Sequence, residues 1–328
     1  MWKMYRVPSI RVRQRKYWSA SLVVAAGAVA ALLVLGLSEG RSAQAQTTSA
    51  VVVGAGDISS CNTTGDTATA KLLDSIAGTV LALGDNAYEE GSLAQYNDCY
   101  GPTWGRHITR TRPAVGNHEY RTGPYPPGAS GYFDYFGTAA AGERDKGYYS
   151  YDKGAWHIVV LNSECLYWPD GSKDGPSACS SLRQASMIEW LKSDLAAHSS
   201  AMCTLAYFHQ PRFSSGNGGN ALEPQPIWDA LYAANADVVL SGHDHIYERF
   251  ARQTPNGTFN TARGIREFVV GTGGKNHGGI GTIKANSQVR NTTTFGVLKL
   301  TLNATNYSWE FVPVAGKTFT DSGTTSCH

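Results

Sequence analysis

Ala236-Asp237-Val238-Val239-Leu240-Ser241-Gly242-His243-Asp244-His245 is an apolar run that stops at a glycine and then presents two histidines two residues apart. The run has the length of a buried strand. At the end of a strand, tethered by Gly242, such spacing lets both imidazoles converge on one point. Neutral imidazole keeps a free lone pair near neutral pH, which makes histidine the commonest protein metal ligand. An isolated His-x-His is a weak motif and reads as two polar loop residues. Its weight depends on whether other strand ends do the same.

Four others do. Val51-Val52-Val53 runs into Gly54-Ala55-Gly56-Asp57, and Val80-Leu81-Ala82-Leu83 into Gly84-Asp85-Asn86-Ala87-Tyr88. Arg112-Pro113-Ala114-Val115 ends at Gly116-Asn117-His118-Glu119, and residues 204–208 end at His209. Taken singly, Gly-Asp reads as a turn, Asn117-His118 as a helix cap, and Tyr88 and His209 as packed core residues. Taken together, five apolar runs each deliver a carboxylate, phenol, amide or imidazole. Four of the nine histidines sit at these ends. Ligands of open α/β sheets collect beyond the carboxyl ends of strands. A mixed nitrogen and oxygen donor set suits Zn, Fe or Mn better than Ca or Mg, which prefer all-oxygen shells.

Helices are predicted over residues 63–76 (with Thr64 or Asp66 as cap), from 92, and over 180–197 and 226–234. Further strands are predicted over 148–151, 157–161 and 267–270, with a hairpin over 295–314 turning near Asn303. Residues 120–147 are rich in Gly, Pro and Tyr and read as long surface loops over a site. Strand and helix alternate early, and strands dominate late. That order predicts an α/β (α+β) chain, a sandwich of mixed sheets flanked by helices rather than one doubly wound sheet.

The N-terminus reads as an address. Lys3, Arg6, Arg11, Arg13, Arg15 and Lys16 precede an apolar stretch over 20–37 and then Ala43-Gln44-Ala45. This is the order of a secretory signal peptide, residues 1–45, cut after Ala45; an uncleaved anchor helix is the alternative. The whole chain carries 28 Lys+Arg and 26 Asp+Glu. The leader holds seven of the basic residues and one acid, so residues 46–328 keep 21 basic and 25 acidic groups, a net charge of −4. No basic field for nucleic acid remains. Residues 46–328 are enough for a single large α/β domain or two small ones, with no stable membrane span once the leader is gone. All six cysteines follow the leader, and an even count in an exported chain suggests disulfides. Cys165 and Cys179 bracket a Pro/Gly/Ser-rich loop and are the first candidate pair. Nothing in the sequence sets the oligomeric state.

The ordered series Gly56-Asp57, Gly84-Asp85-x-x-Tyr88, Gly116-Asn117-His118-Glu119, His209 and Gly242-His243-Asp244-His245 resembles the calcineurin-like metallophosphoesterases. Gly84-Asp85 with Tyr88, and the run 242–249, resemble the purple acid phosphatase branch in particular. The resemblance covers nearly all of residues 50–314. It implies a four-layer αββα sandwich, with a metallophosphoesterase catalytic domain over 46–328. It implies two metal ions, iron with zinc, manganese or iron. Asp57, Asp85, Tyr88 and His245 would hold one; Asp85, Asn117, His209 and His243 would hold the other, with Asp85 bridging. His118 would contact the phosphoryl group and protonate the leaving oxygen. The implied activity is that of a secreted or cell-surface phosphatase hydrolysing small phosphomonoesters with a hydroxide activated by both metals. The alternatives are a phosphodiesterase on the same centre and a non-catalytic surface protein that has kept the fold. Three departures stand out. Ser59 occupies the position where many relatives place a histidine, residues 210–220 lack the extra histidines of plant-type relatives, and there is no room for their N-terminal β-sandwich. His277, in a glycine-rich loop, either reaches the pocket or lies on an exposed loop.

Overall fold

A computed structural model describes residues 49–121, 128–137, 142–144, 146–164 and 181–328. The leader and the Cys165–Cys179 pair lie outside the described residues. The described residues belong to one compact unit, Gln46–His328.

In chain order the strands are β1 (Ala50–Ala55), β2 (Ser59–Ser60), β3 (Thr79–Leu83), β4 (Ala87–Tyr88), β5 (Thr111–Ala114), β6 (Tyr149–Lys153) and β7 (Trp156–Val160). They continue with β8 (Cys203–Tyr207), β9 (Val238–Ser241), β10 (Tyr247–Phe250), β11 (Arg266–Val270), β12 (Ser287–Asn291), β13 (Gly296–Leu302), β14 (Asn306–Pro313) and β15 (Ser322–Ser326). The helices used below are α1 (Gly65–Ser75), α2 (Leu93–Gln95), α3 (Ser130–Phe136), α4 (Ser181–Ala197) and α5 (Gln225–Ala233). The first sheet runs β15-β14-β13-β1-β3-β5, the second β12-β10-β11-β9-β8-β7-β6. Both are mixed. β1, β3 and β5 are parallel, and so are β7, β8, β9 and β11, while β13, β14 and β15 in the first sheet and β6, β10 and β12 in the second pair antiparallel.

The second sheet shows why the layers form. Side chains alternate across a strand, and here both faces are apolar. Ile158, Val160, Leu205, Tyr207, Val238, Leu240, Phe268 and Val270 join one core with Val52, Val80, Leu298 and Leu300 of the first sheet. Their neighbours Val159, Leu161, Ala206, Phe208, Val239 and Val269 face the other way, onto Met187, Leu191 and Leu195 of α4 and Ile227, Trp228 and Leu231 of α5. Ala70 and Leu73 of α1 and Trp104 pack on the first sheet. Helix, sheet, sheet, helix is the order of layers, as the resemblance implied.

Two expectations are corrected. Residues 120–147 are not loops throughout. α3 lies within them and buries Tyr132, Phe133 and Phe136, with Phe136 edge-on to Tyr96 and Tyr100 and to its own helix neighbours Tyr132 and Tyr135. Aromatic ring contacts there replace a regular apolar period, so no helical pattern shows in the sequence. Thr64 stands at the N-cap of α1 without a side-chain bond, and Asp66 lies inside the first turn, where its carboxylate accepts from the Thr67 backbone N–H at 2.8 Å as well as from Ser59 Oγ, at 2.6 Å, and Thr103 Oγ1. Two disulfides, Cys61–Cys99 and Cys203–Cys327, tie the chain across 38 and 124 residues.

Candidate metal centre

The carboxyl ends of β1, β3 and β5 in one sheet and of β8 and β9 in the other meet at one edge of the sandwich. Backbone bonds hold the two sheets in register there. Gly56 N–H donates to Val270 O at 2.9 Å, and His243 N–H donates to Asp57 Oδ2 at 2.8 Å. Asp57, Asp85 and His243 adopt left-handed backbone, with φ of 59°, 48° and 68°. That conformation costs a non-glycine residue roughly 1–2 kcal/mol, and such strain clusters at functional sites. It turns each chain sharply off its strand and aims the side chain along the edge. Gly84 serves a second need. A Cβ there would stand 2.6 Å from both Cβ and Nδ1 of His209. Only glycine lets the His209 ring lie against that backbone, where His209 Nδ1–H donates to Leu83 O at 2.9 Å.

All seven candidate ligands meet, in two overlapping groups. In the first, Tyr88 Oη lies 2.8 Å from Asp57 Oδ1, 2.9 Å from Asp85 Oδ2 and 3.2 Å from His245 Nε2. His245 Nε2 is 3.1 Å from Asp57 Oδ1. In the second, Asn117 Oδ1 lies 3.2 Å from His209 Nε2 and 3.1 Å from His243 Nδ1, and His209 Nε2 is 3.2 Å from Asp85 Oδ2. Asp85 Oδ2 belongs to both groups. Asp57, Asp85, Tyr88 and His209 are buried. His118 stands just outside: its Nε2 is 3.8 Å from Asp85 Oδ2, its ring packs at a tilt of 57° with its centroid 4.3 Å from that of Tyr88, and its backbone N–H donates to Asp85 Oδ1 at 2.9 Å.

The donor set fits cations. In the first group Tyr88 carries one phenolic proton against two carboxylate oxygens and an imidazole nitrogen. A phenol donates once, so only protons drawn onto His245 and His209 offset the surplus of buried negative charge on Asp57 and Asp85, and buried charge is costly unless paired. A cation resolves that surplus. Imidazole with carboxylate, amide and phenol oxygen suits first-row transition metals rather than calcium.

The chain's own charges already lean on one another. Burial works to raise the Asp85 carboxyl, yet His209 and His118 more than offset it and hold it well below the ordinary carboxylate range. Burial opposes charge on His209 and His245 too. Asp85 lifts His209 well above the usual imidazole range, and Asp57 lifts His245 to about 9. Burial and the Asp57 and Asp85 charges push the Tyr88 phenol far up, so only a strong cation would make it a phenolate.

Three further residues organise the site. Glu119, wholly buried, accepts from the backbone N–H groups of Asp85, Asn86, Ala87 and Gly116 and from Tyr96 Oη. It thus fixes two of the five strand ends. Asn276 Oδ1 lies 2.8 Å from His245 Nδ1 and turns its Nε2 inward, as the outer partners of ligating histidines do. Asp244, between the two histidines of the opening motif, faces away and binds Ser214 Oγ. Glu119 follows His118 directly and was visible as part of its motif, but its partners were not. Ser59 is absent from the donor set, and His277 stacks on Phe295 at 4.0 Å instead of joining it.

Comparison with known proteins agrees with this geometry. The family model described as calcineurin-like phosphoesterase matches residues 50–247. An uncharacterized protein of Mycobacterium tuberculosis is 27% identical over 186 residues, 49% of this chain and 35% of its own. Purple acid phosphatase 15 of Arabidopsis thaliana is 27% identical over 229 residues, 60% of this chain and 40% of its own. The chain therefore spans less than half the length of these relatives. Among solved structures, the purple acid phosphatase PPD1 from yellow lupin (Lupinus luteus) seeds superposes with a TM-score of 0.67 at 21% identity, covering 86% of this chain and 54% of that one. With this fold, this ordered donor set and a match over more than half its length, the chain belongs to the calcineurin-like phosphoesterase family, and purple acid phosphatases are among the proteins it is similar to.

Proposed function

We propose that this phosphoesterase is an exported phosphomonoesterase working at two metal ions, iron paired with zinc, manganese or a second iron. The observation that carries the reading is Asp85 Oδ2, a single carboxylate oxygen shared by two clusters of nitrogen and oxygen donors. Asp57, Asp85, Tyr88 and His245 would hold one ion, and Asp85, Asn117, His209 and His243 the other. A pair of cations supplies hydroxide at neutral pH and neutralises charge on the phosphoryl oxygens. The chain's own part is to hold these donors rigid, through left-handed turns and the Glu119 bonds, and to place His118 beside Asp85, where it can give a proton to the departing oxygen. Such general acid catalysis contributes roughly 10²–10⁴-fold. Export is supported by the leader-like residues 1–45 and by two disulfides. Among the described residues no helix is long and apolar enough to cross a membrane.

The test is hydrolysis of an aryl phosphate and a bis-aryl phosphate by purified protein, each with and without chelator. The reading expects chelator-sensitive turnover with the monoester preferred. Preference for the diester would make it a phosphodiesterase. No turnover of either, with metals bound, would leave a binding protein on the same fold.

A further inference from the structure

His118 is the proposed proton donor, and its ring is held by a backbone atom. His118 Nδ1 lies 2.6 Å from Glu89 O. A carbonyl oxygen can only accept, so Nδ1 carries the proton and Nε2 is turned toward Asp85 Oδ2. The position of Glu89 therefore sets the aim of the acid. Glu89 in turn is held by Lys275. Its Oε1 is ion-paired with Lys275 Nζ, across 186 residues of sequence. Lys275 Nζ also lies 3.3 Å from Ser60 Oγ and 4.6 Å from the centroid of the Tyr88 ring, which the His118 ring contacts as well. The Lys275 backbone is pinned as well, its N–H donating to Asp57 O at 3.0 Å. The Lys275 side chain is 16% exposed and that of Glu89 54%, so the lysine end of the pair is held in the fold while the carboxylate end meets solvent.

Resting on the reading of His118 as the acid, we infer that Lys275 is a positioning residue for that proton donor: it clamps Glu89, whose carbonyl orients the His118 ring, and it lies against the Tyr88 ring that the His118 ring also contacts. One lysine thereby couples the strand end of Asp57, the turn of Tyr88 and Glu89, and the His118 loop. Its contacts with the proposed metal ligands are to the Tyr88 ring and the Asp57 backbone oxygen, not to their donor atoms. A donor misplaced by about 1 Å can cost on the order of 10²-fold. The cost should fall on the step that uses the proton.

Lys275→Met keeps the aliphatic stem and removes the charge; Lys275→Arg restores it. Both are compared with wild type on an alkyl phosphate, whose leaving group needs a proton, and on 2,4-dinitrophenyl phosphate, whose leaving group does not. The expected result for Lys275→Met is a roughly 10- to 100-fold fall in kcat on the alkyl ester, under about 3-fold on the dinitrophenyl ester, unchanged metal content, and substantial rescue by Arg. In metal-free protein the His118 Nδ1 proton, followed by ¹⁵N-resolved NMR, should exchange with solvent faster in Lys275→Met than in wild type or Lys275→Arg. Equal losses on both esters, loss of metal, or an unchanged His118 exchange rate would overturn the inference. His118→Ala run alongside separates the two claims. If it shows the leaving-group dependence and Lys275→Met does not, the positioning role fails alone. If His118→Ala shows none, the acid reading fails and the catalytic role of Lys275 with it.

Discussion

Glu119→Gln is the substitution whose effect follows most directly from counted bonds. Glu119 Oε1 accepts from Asn86 N at 2.7 Å, Ala87 N at 3.3 Å and Tyr96 Oη at 3.0 Å; Oε2 accepts from Asp85 N at 3.0 Å and Gly116 N at 2.7 Å. Glutamine has one oxygen to offer. If that oxygen takes the Oε1 position, its NH₂ faces two backbone donors, Asp85 N and Gly116 N, and neither can be satisfied. Reversing the amide leaves Asn86 N and Ala87 N facing the NH₂ instead, while the Tyr96 hydroxyl can turn and accept from it, so two donors are lost either way. An unsatisfied buried donor costs about 1–3 kcal/mol, so two give roughly 2–6 kcal/mol, a large part of the ~5–15 kcal/mol that holds a typical domain. At about 2–4 °C per kcal/mol for chains of this size, Tm should fall on the order of 10 °C. Thermal unfolding followed by circular dichroism on metal-free wild type and variant measures it. Because Glu119 holds the Asp85 and Gly116 turns, the variant should also bind its metals more weakly. A Tm shift below about 1 °C would refute the bond count and the organising role of Glu119 with it.

Three other outcomes follow. Tyr88→Phe removes the phenol oxygen; in iron-loaded, oxidised protein the wild type should show a visible phenolate-to-iron band that the variant lacks, and a variant that keeps the band would exclude Tyr88 as its source. His118→Ala should leave both metals bound, since the ring lies outside both donor groups; loss of metal on elemental analysis would make it a ligand instead. The third concerns His157, buried far from the site with Nδ1 2.9 Å from Asp152 Oδ1 and Nε2 2.8 Å from Asp194 Oδ2. Burial opposes its charge, but the Asp194 and Asp152 carboxylates outweigh burial and raise its pKa above the ordinary 6.5. A raised folded pKa means stabilisation fully present below the unfolded value and lost as pH climbs through the folded one. His157→Gln should therefore destabilise by about 2 kcal/mol near pH 6 and by less near pH 9, in urea titrations at both. An equal cost at both pH values would exclude a charged His157.

The five apolar runs and their terminal donors were legible because each is local: a strand's length, a glycine, and a polar residue within a few positions. Their order carried the family resemblance and the layered fold. What the sequence hid was of two kinds. β12 and β15 are short and mostly polar, Ser287–Asn291 and Ser322–Ser326, and they form the outer edges of their sheets, so neither shows the apolar alternation of a core strand. The partners of Glu119 and Lys275 are hidden for another reason. Glu119 acts on backbone N–H groups, which every residue has, and Lys275 pairs with Glu89 across 186 positions. The same distance effect concealed the Cys61–Cys99 and Cys203–Cys327 pairings, which only the folded sandwich brings together.

The central claim is one carboxylate shared between two metal sites. Elemental analysis of the purified wild type, Asp85→Ala and His209→Ala tests it in a single measurement, each protein loaded identically and freed of unbound metal. The account predicts two ions per wild-type chain, none in Asp85→Ala and one in His209→Ala. One ion or fewer in the wild type, or the same single ion lost from both variants, would contradict it.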